Sequence, residues 1–255
     1  MNLPPELIHE VFSNLASDIQ SLRSCSLVAK PWAHLSRKWL FKDILVSKGT
    51  RRRWLDEISP GDIELLCNVR SFRYTSDSAV WEEAIPYPID SLHEYLPLLS
   101  HLESLELSSM SIGPDIPQKI GLFSAFQHTL SSLRLSNCSV TSSTLITLIN
   151  YFPLLANLDL HSLIFATNGE PAPPLSRPFR GRLAITECRS KDRALYDKLS
   201  DPPPEFEELI LCRVDMPIFF HAVLGVHGGS VKRLKMFGDI SWRRRTSWNP
   251  QSLRC

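Results

Sequence analysis

Two rhythms of apolar positions divide the chain. Residues 1–46 follow the helical one. Pro4 and Pro5 suit a helix start, where the first N–H groups lack internal partners, and Glu6 adds negative charge at the positive helix end. Leu7, Ile8, Val11, Phe12 and Leu15 then recur at helical spacing, predicting a helix that ends near Ala16. Asp18 reads as the next cap. A second helix over Ile19–Val28 carries Leu22, Cys25 and Val28, and Pro31 opens a third with Trp32, Leu35, Trp39 and Leu40. Phe41–Val46 reads as a short strand, and Thr50–Leu55 as the start of a helical stretch.

Over residues 47–255 the period changes. A phrase with apolar residues at relative positions 0, 3, 5 and 8 occurs at Leu102, Leu105, Leu107 and Met110, again at Leu130, Leu133, Leu135 and Cys138, and again at Leu155, Leu158, Leu160 and Leu163. Looser copies begin at Val69, Arg180, Phe206 and Val231. The starts at 102, 130, 155, 180, 206 and 231 are 25 to 28 residues apart. This spacing resembles leucine-rich repeats, whose units span about 20–29 residues. Between the copies, Leu145, Ile146, Ile149 and Phe152 keep helical spacing, as do Leu122, Phe123 and Phe126, and Phe219, Phe220, Val223 and Leu224. The predicted class is therefore α/β: a three-helix module followed by an irregular solenoid with an inner parallel sheet and outer helices. Pro171–Pro174 and Pro202–Pro204 fall between copies, where their missing N–H donors suit loops. No capping pattern follows the last copy, so the solenoid reads as cut short at its C-terminus.

Strand alternation turns the residues between the core leucines toward the concave side. That row is polar over most of its length, with Arg134, Asp159, His161 and Lys235, and becomes apolar at Ile210, Cys212 and Phe237. These seven residues are the candidate contacts for a protein substrate, because desolvated apolar anchors dominate most binding surfaces.

The N-terminal residues carry a second resemblance. Leu3-Pro4-Pro5-Glu6-Leu7-Ile8, Val11-Phe12-Ser13-Asn14-Leu15, Leu22, Leu27-Val28, Trp32 and Leu35 stand in the order of the F-box pattern, and the chain resembles fungal-type F-box proteins. The resemblance implies docking on a Skp-type adaptor, and through it on a cullin–RING ubiquitin ligase, with Leu3, Pro4, Leu7, Leu22, Val28 and Trp32 at or near the interface. Phe12, Leu15, Leu35 and Trp39 read instead as the module's internal core. Three helices this short bury too little surface to stand without a neighbour.

Composition adds mainly exclusions. At 255 residues, with 43% hydrophobic and 22% charged, the chain suits folded domains, and its net charge of +1 gives no footprint for nucleic acid. The six cysteines include no C-x-x-C pair and suit buried thiols in the cytosol or nucleus. No apolar run approaches the roughly 20 residues of a membrane span. Phosphate-cradle, nucleophile-elbow and zinc-helix motifs are absent from the sequence, and its histidines form no i, i+4 ligand pair. No cofactor and no metal is expected. The reading is a non-catalytic substrate receptor; the competing one is a scaffold whose N-terminal helices cap the solenoid.

Overall fold

A computed structural model describes residues 4–47, 63–76, 87–88, 92–94, 96–113, 115–166, 172–188, 198–199, 201–213 and 230–237. The chain opens with helices α1 (Pro5–Asn14), α2 (Ile19–Cys25) and α3 (Lys30–Leu40). Proline in the first turn of α1 and α3 costs no hydrogen bond. The second helix is shorter than its apolar pattern suggested: it stops at Cys25, and Val28 lies in the turn beyond it. Strand β1 (Asp43–Ser47) follows α3 after Phe41 and Lys42. The helical expectation at Thr50–Leu55 lies outside the described residues.

After the short helix α4 (Ile63–Leu66) come β2 (Ser71–Thr75), β3 (Tyr87–Pro88), β4 (Ser104–Ser108), β5 (Met110–Ile112), α5 (Ile116–Lys119), β6 (Ser132–Ser136) and β7 (Ser139–Val140). Helix α6 (Ser142–Tyr151), β8 (Asn157–His161), β9 (Ile164–Phe165), β10 (Arg180–Thr186), β11 (Glu205–Cys212), β12 (Ser230–Val231) and β13 (Leu234–Phe237) follow. The main sheet runs β1-β2-β4-β6-β8-β10-β11, with β12 and β13 both paired to β11, and every pairing is parallel. The predicted frames fall in register. Leu105 faces Leu133, Leu133 faces Leu158, Leu158 faces Leu183, and Leu183 faces Leu209.

One face of this sheet packs into a continuous core from Ile44 to Leu211. Helix α6 supplies Leu145, Ile146 and Ile149, and Thr141 caps it by accepting the Thr144 N–H at 3.0 Å. Phe123, Phe126 and Phe152 form an aromatic knot with centroids 5.8–6.0 Å apart. The segment carrying the first two is a 3-10 helix, Ile120–Phe126, rather than an α-helix. The corresponding stretch around Phe219 lies outside the described residues.

A second, four-stranded parallel sheet runs β3-β5-β7-β9. The chain reaches β5, β7 and β9 through sharp turns at Ser109, Asn137 and Ser162, all at positive φ, and the same turn recurs at Glu187 and Arg213. Each of these residues donates its N–H to the carbonyl at the end of the next strand, for example Asn137 to His161 at 2.9 Å and Glu187 to Cys212 at 2.8 Å. That bond offsets the roughly 1–2 kcal/mol a side-chain-bearing residue loses in the left-handed region.

Two frame positions are corrected. Arg180 is exposed, and Phe179 fills the opening apolar site of that copy, buried against Phe206 with centroids 6.2 Å apart. Counted back from Leu183 by strand alternation, Gly181 and Phe179 face inward and Arg180 outward, and the register irregularity at Gly181/Arg182 skips Glu207 on β11. Gly181 sits at φ +121°, where a Cβ would lie 2.1 Å from the Ala156 carbonyl oxygen. In the last copy, Leu234 is 45% exposed. No described strand stacks beyond β13, so its inward side chain finds no cover.

Candidate protein-docking surfaces

The N-terminal helices form a small unit. Phe12 and Leu22 are its fully buried apolar side chains, and Phe12 meets Trp32 edge-on at 5.6 Å. Ser36 is also buried, and its hydroxyl donates to the Trp32 carbonyl. Trp39 packs edge-on against His9 and carries the Lys42 ammonium over its face at 5.4 Å. Asp18 caps α2, accepting the Ser21 N–H at 3.0 Å and the Ser21 hydroxyl at 2.6 Å. Those two bonds, the hydroxyl's first, hold its carboxyl below the usual aspartate value.

Outside this small core lie Leu7, Val11, Ile19, Leu27 and Val28, between 39% and 87% exposed. Leu7 and Val11 are neighbours one helical turn apart, so the stripe of α1 splits, with Phe12 inward and these two outward. Of the residues the sequence nominated for adaptor contact, Pro4, Leu7 and Val28 are exposed and Trp32 is half-buried. Leu22, at 1% exposure, supports the surface from beneath. Leu3 lies outside the described residues. Among the four residues read as internal core, Phe12 is buried, while Leu15, Leu35 and Trp39 are half-buried. Sequence reading did not nominate Val11, Ile19 and Leu27 for the interface. Leu27 carried a signal, since in a helix over Ile19–Val28 it stands off the stripe of Leu22, Cys25 and Val28.

The second surface is the open face of the main sheet, which alternation leaves free of the core. Across it run register-matched rows. The central one reads Leu45, Arg73, Glu106, Arg134, Asp159, Ala184, Ile210 and Lys235. Its early charges close in pairs, Arg73 Nε to Glu106 Oε2 at 2.8 Å and Arg134 Nε to Asp159 Oδ2 at 3.5 Å. The flanking row carries Ser108, Ser136, His161, Thr186, Cys212 and Phe237. All seven nominated contacts therefore lie in two adjacent rows, with Arg134, Asp159 and His161 on β6 and β8, and Ile210, Cys212, Lys235 and Phe237 on β11 and β13.

Toward β13 the electrostatics change. Glu208 accepts both Arg182 Nε at 3.2 Å and Lys235 Nζ at 2.8 Å. Lys235 foremost, with Arg233 and Arg182 adding their fields, holds its carboxyl below the usual glutamate value. At the rim, Glu187 pairs with Arg213 and accepts the Ser162 hydroxyl at 3.2 Å, contacts that lower its pKa in that order. Inside, burial pushes the Cys138 and Cys188 thiols up to about 11. Each stays protonated and donates weakly, to the Leu107 and Leu160 carbonyls at 3.4 Å. Both are packing residues rather than nucleophiles.

Residues 1–47 match the family model described as F-box-like. No curated protein matches the chain. F-box domains dock on Skp-type adaptors of cullin–RING ligases and belong to generally non-catalytic adaptor subunits. The matched stretch holds these five exposed aliphatics of the helical unit and extends through β1, where Leu45 is exposed as well. Among the described residues, no helix is long and apolar enough to cross a membrane.

Proposed function

We propose that this chain is the substrate-recognition subunit of a Skp–cullin–F-box-type ubiquitin ligase acting in the cytosol or nucleus. Its N-terminal helices hold the adaptor, and its sheet, read as an irregular leucine-rich-repeat solenoid of residues 47–255, holds a protein target. The chain transfers no ubiquitin itself. The observation that carries this reading is the exposure of Leu7, Val11, Ile19, Leu27 and Val28 within the F-box-like stretch. Each large apolar side chain gains about 1.5–3 kcal/mol on burial, so a partner that covers several supplies what the small module lacks.

The test is co-purification of the full chain with a Skp-type adaptor. Leu7→Asp with Val28→Asp changes exposed positions, so the helices keep their circular dichroism while adaptor recovery falls to background. Unchanged recovery overturns the proposal. A second reading, the scaffold with a helical cap, draws on the placement of β1. That strand begins two residues after α3, pairs with β2, and gives Ile44 and Val46 to the sheet core. Deleting residues 1–40 while keeping β1 separates the two readings. A docking module leaves a soluble, folded sheet behind, whereas a cap leaves an aggregating one.

A further inference from the structure

The open face of the sheet is not uniform, and its last described strands combine two features that the earlier strands keep apart. On β2, β4, β6 and β8 the central row closes its charges one to one, and Thr75, Ser108, Ser136 and His161 on the next row offer no large apolar anchor. On β11 and β13, Ile210 is half-buried and Phe237 is 57% exposed, in adjacent rows beside Cys212. Next to this apolar pair, Arg182 and Lys235 share one carboxylate, that of Glu208, whose side chain is only 11% exposed. Among the described residues neither cation pairs with a second carboxylate, so two cations on one anion leave a positive charge uncompensated there, and Arg233 adds its field to the same carboxylate. The shared carboxylate uses one donor of Lys235 and one nitrogen of Arg182, leaving further N–H groups directed elsewhere. Lys235 and Arg182 remain 52% and 38% exposed, so those donors reach solvent.

We infer that this end of the sheet, from Arg182 to Phe237, binds an acidic peptide segment of the target, with an apolar side chain set on Ile210 and Phe237 and a neighbouring carboxylate paired to Lys235 and Arg182. Charge complementarity selects this occupant. A basic segment would bring cations against three cations already gathered on one glutamate, and like-charge juxtaposition is a strong penalty against wrong partners. A purely apolar segment would leave the surplus charge desolvated and unpaired, which is costly in itself. The apolar pair supplies affinity, and the cation pair sets sign and register.

The inference rests on the substrate-receptor reading. Its test uses the full chain co-purified with a Skp-type adaptor, and three fluorescent peptides of equal length read by anisotropy. One carries a leucine and a phenylalanine flanked by glutamates, the second has the same pair flanked by lysines, and the third keeps the glutamates but replaces the pair with alanines. The first is expected to bind at least about tenfold more tightly than either of the others, a preference worth about 1.4 kcal/mol. Lys235→Glu reverses the order of the first two peptides, and Phe237→Ala removes the advantage of the first over the third. Equal binding of the glutamate and lysine peptides, or binding of none, overturns the inference, as does Lys235→Glu without effect. Both substitutions are at exposed positions, and an unchanged melting curve identifies a change in binding rather than in folding. Adaptor recovery is scored in the same preparation. A chain that holds the adaptor but shows no peptide preference refutes only this inference, whereas one that never held the adaptor refutes the ligase reading.

Discussion

The helical module and the sheet handle the same problem, an apolar stripe on a short element, in opposite ways. In the module, α1 to α3 bury Phe12 and Leu22 and leave five large aliphatics in water. In the sheet, a strand as short as Ser104–Ser108 hides both Leu105 and Leu107, because β2 and β4, β4 and β6, and their successors each cover the next. Repetition lets every unit borrow its neighbour's surface; three isolated helices have no such neighbour. The incomplete burial of the module is thus a property of its size, and it is what makes the module suited to a partner.

The largest test of this contrast compares two aromatic truncations. Phe126→Ala opens the knot with Phe123 and Phe152 and is expected to cost about 3–5 kcal/mol of sheet stability, read by urea denaturation. Phe12→Ala is expected to release only the helices, so that hydrogen exchange accelerates over residues 5–40 while the sheet amides keep their protection. Uniform loss of protection would show that the two regions fold as one.

Gly181→Ala comes next, at about 3 kcal/mol, since the backbone is left-handed there and a Cβ would collide with the Ala156 carbonyl. Calorimetry should show a lowered sheet transition with the helices untouched. A third comparison uses the module's surface. Leu7→Asp should leave stability within about 0.5 kcal/mol, the usual range for surface changes, yet abolish adaptor recovery.

Acid probes both regions with a definite sign. Glu187 and Asp18 have folded-state pKa values below their ordinary values of 4.5 and 3.8. Their contributions are complete above those values. As pH falls, the unfolded chain takes up the proton first, and each contribution is lost on the way down to the folded pKa. Circular dichroism on titration from neutral pH should therefore register both the sheet rim and the start of α2 loosening as pH falls below those values, and Glu187→Gln should remove the rim's share alone. The smallest expected effect is a gain. Ser109→Gly relieves a side-chain-bearing residue at φ 58° and should stabilise the sheet by about 0.5 kcal/mol, net of the entropy glycine adds to the unfolded chain.

The amino-acid sequence by itself determined the elements whose signal is local. Period fixed the strands at Leu105, Leu133 and Leu158 and the helix over Leu145 to Ile149, because alternating and helical spacings bury different residues. Prolines and Asp18 marked the helix starts, and alternation marked the outward rows. Tertiary structure decided what depends on the neighbouring unit. The left-handed turns at Asn137, Glu187 and Arg213 carry no glycine to announce them, and each is held by a carbonyl from the next strand, some 24 or 25 residues further on. Phe179 replaced Arg180 in the core because β10 keeps strict alternation back from Leu183 through Gly181, where the repeat frame expects a three-residue step. The pairing of two cations on Glu208 joins three residues of β10, β11 and β13, and none of the three shows its partners in the sequence. Spacing along a chain records which face a side chain takes, whereas charge balance and backbone handedness are set across strands, by residues a full repeat away.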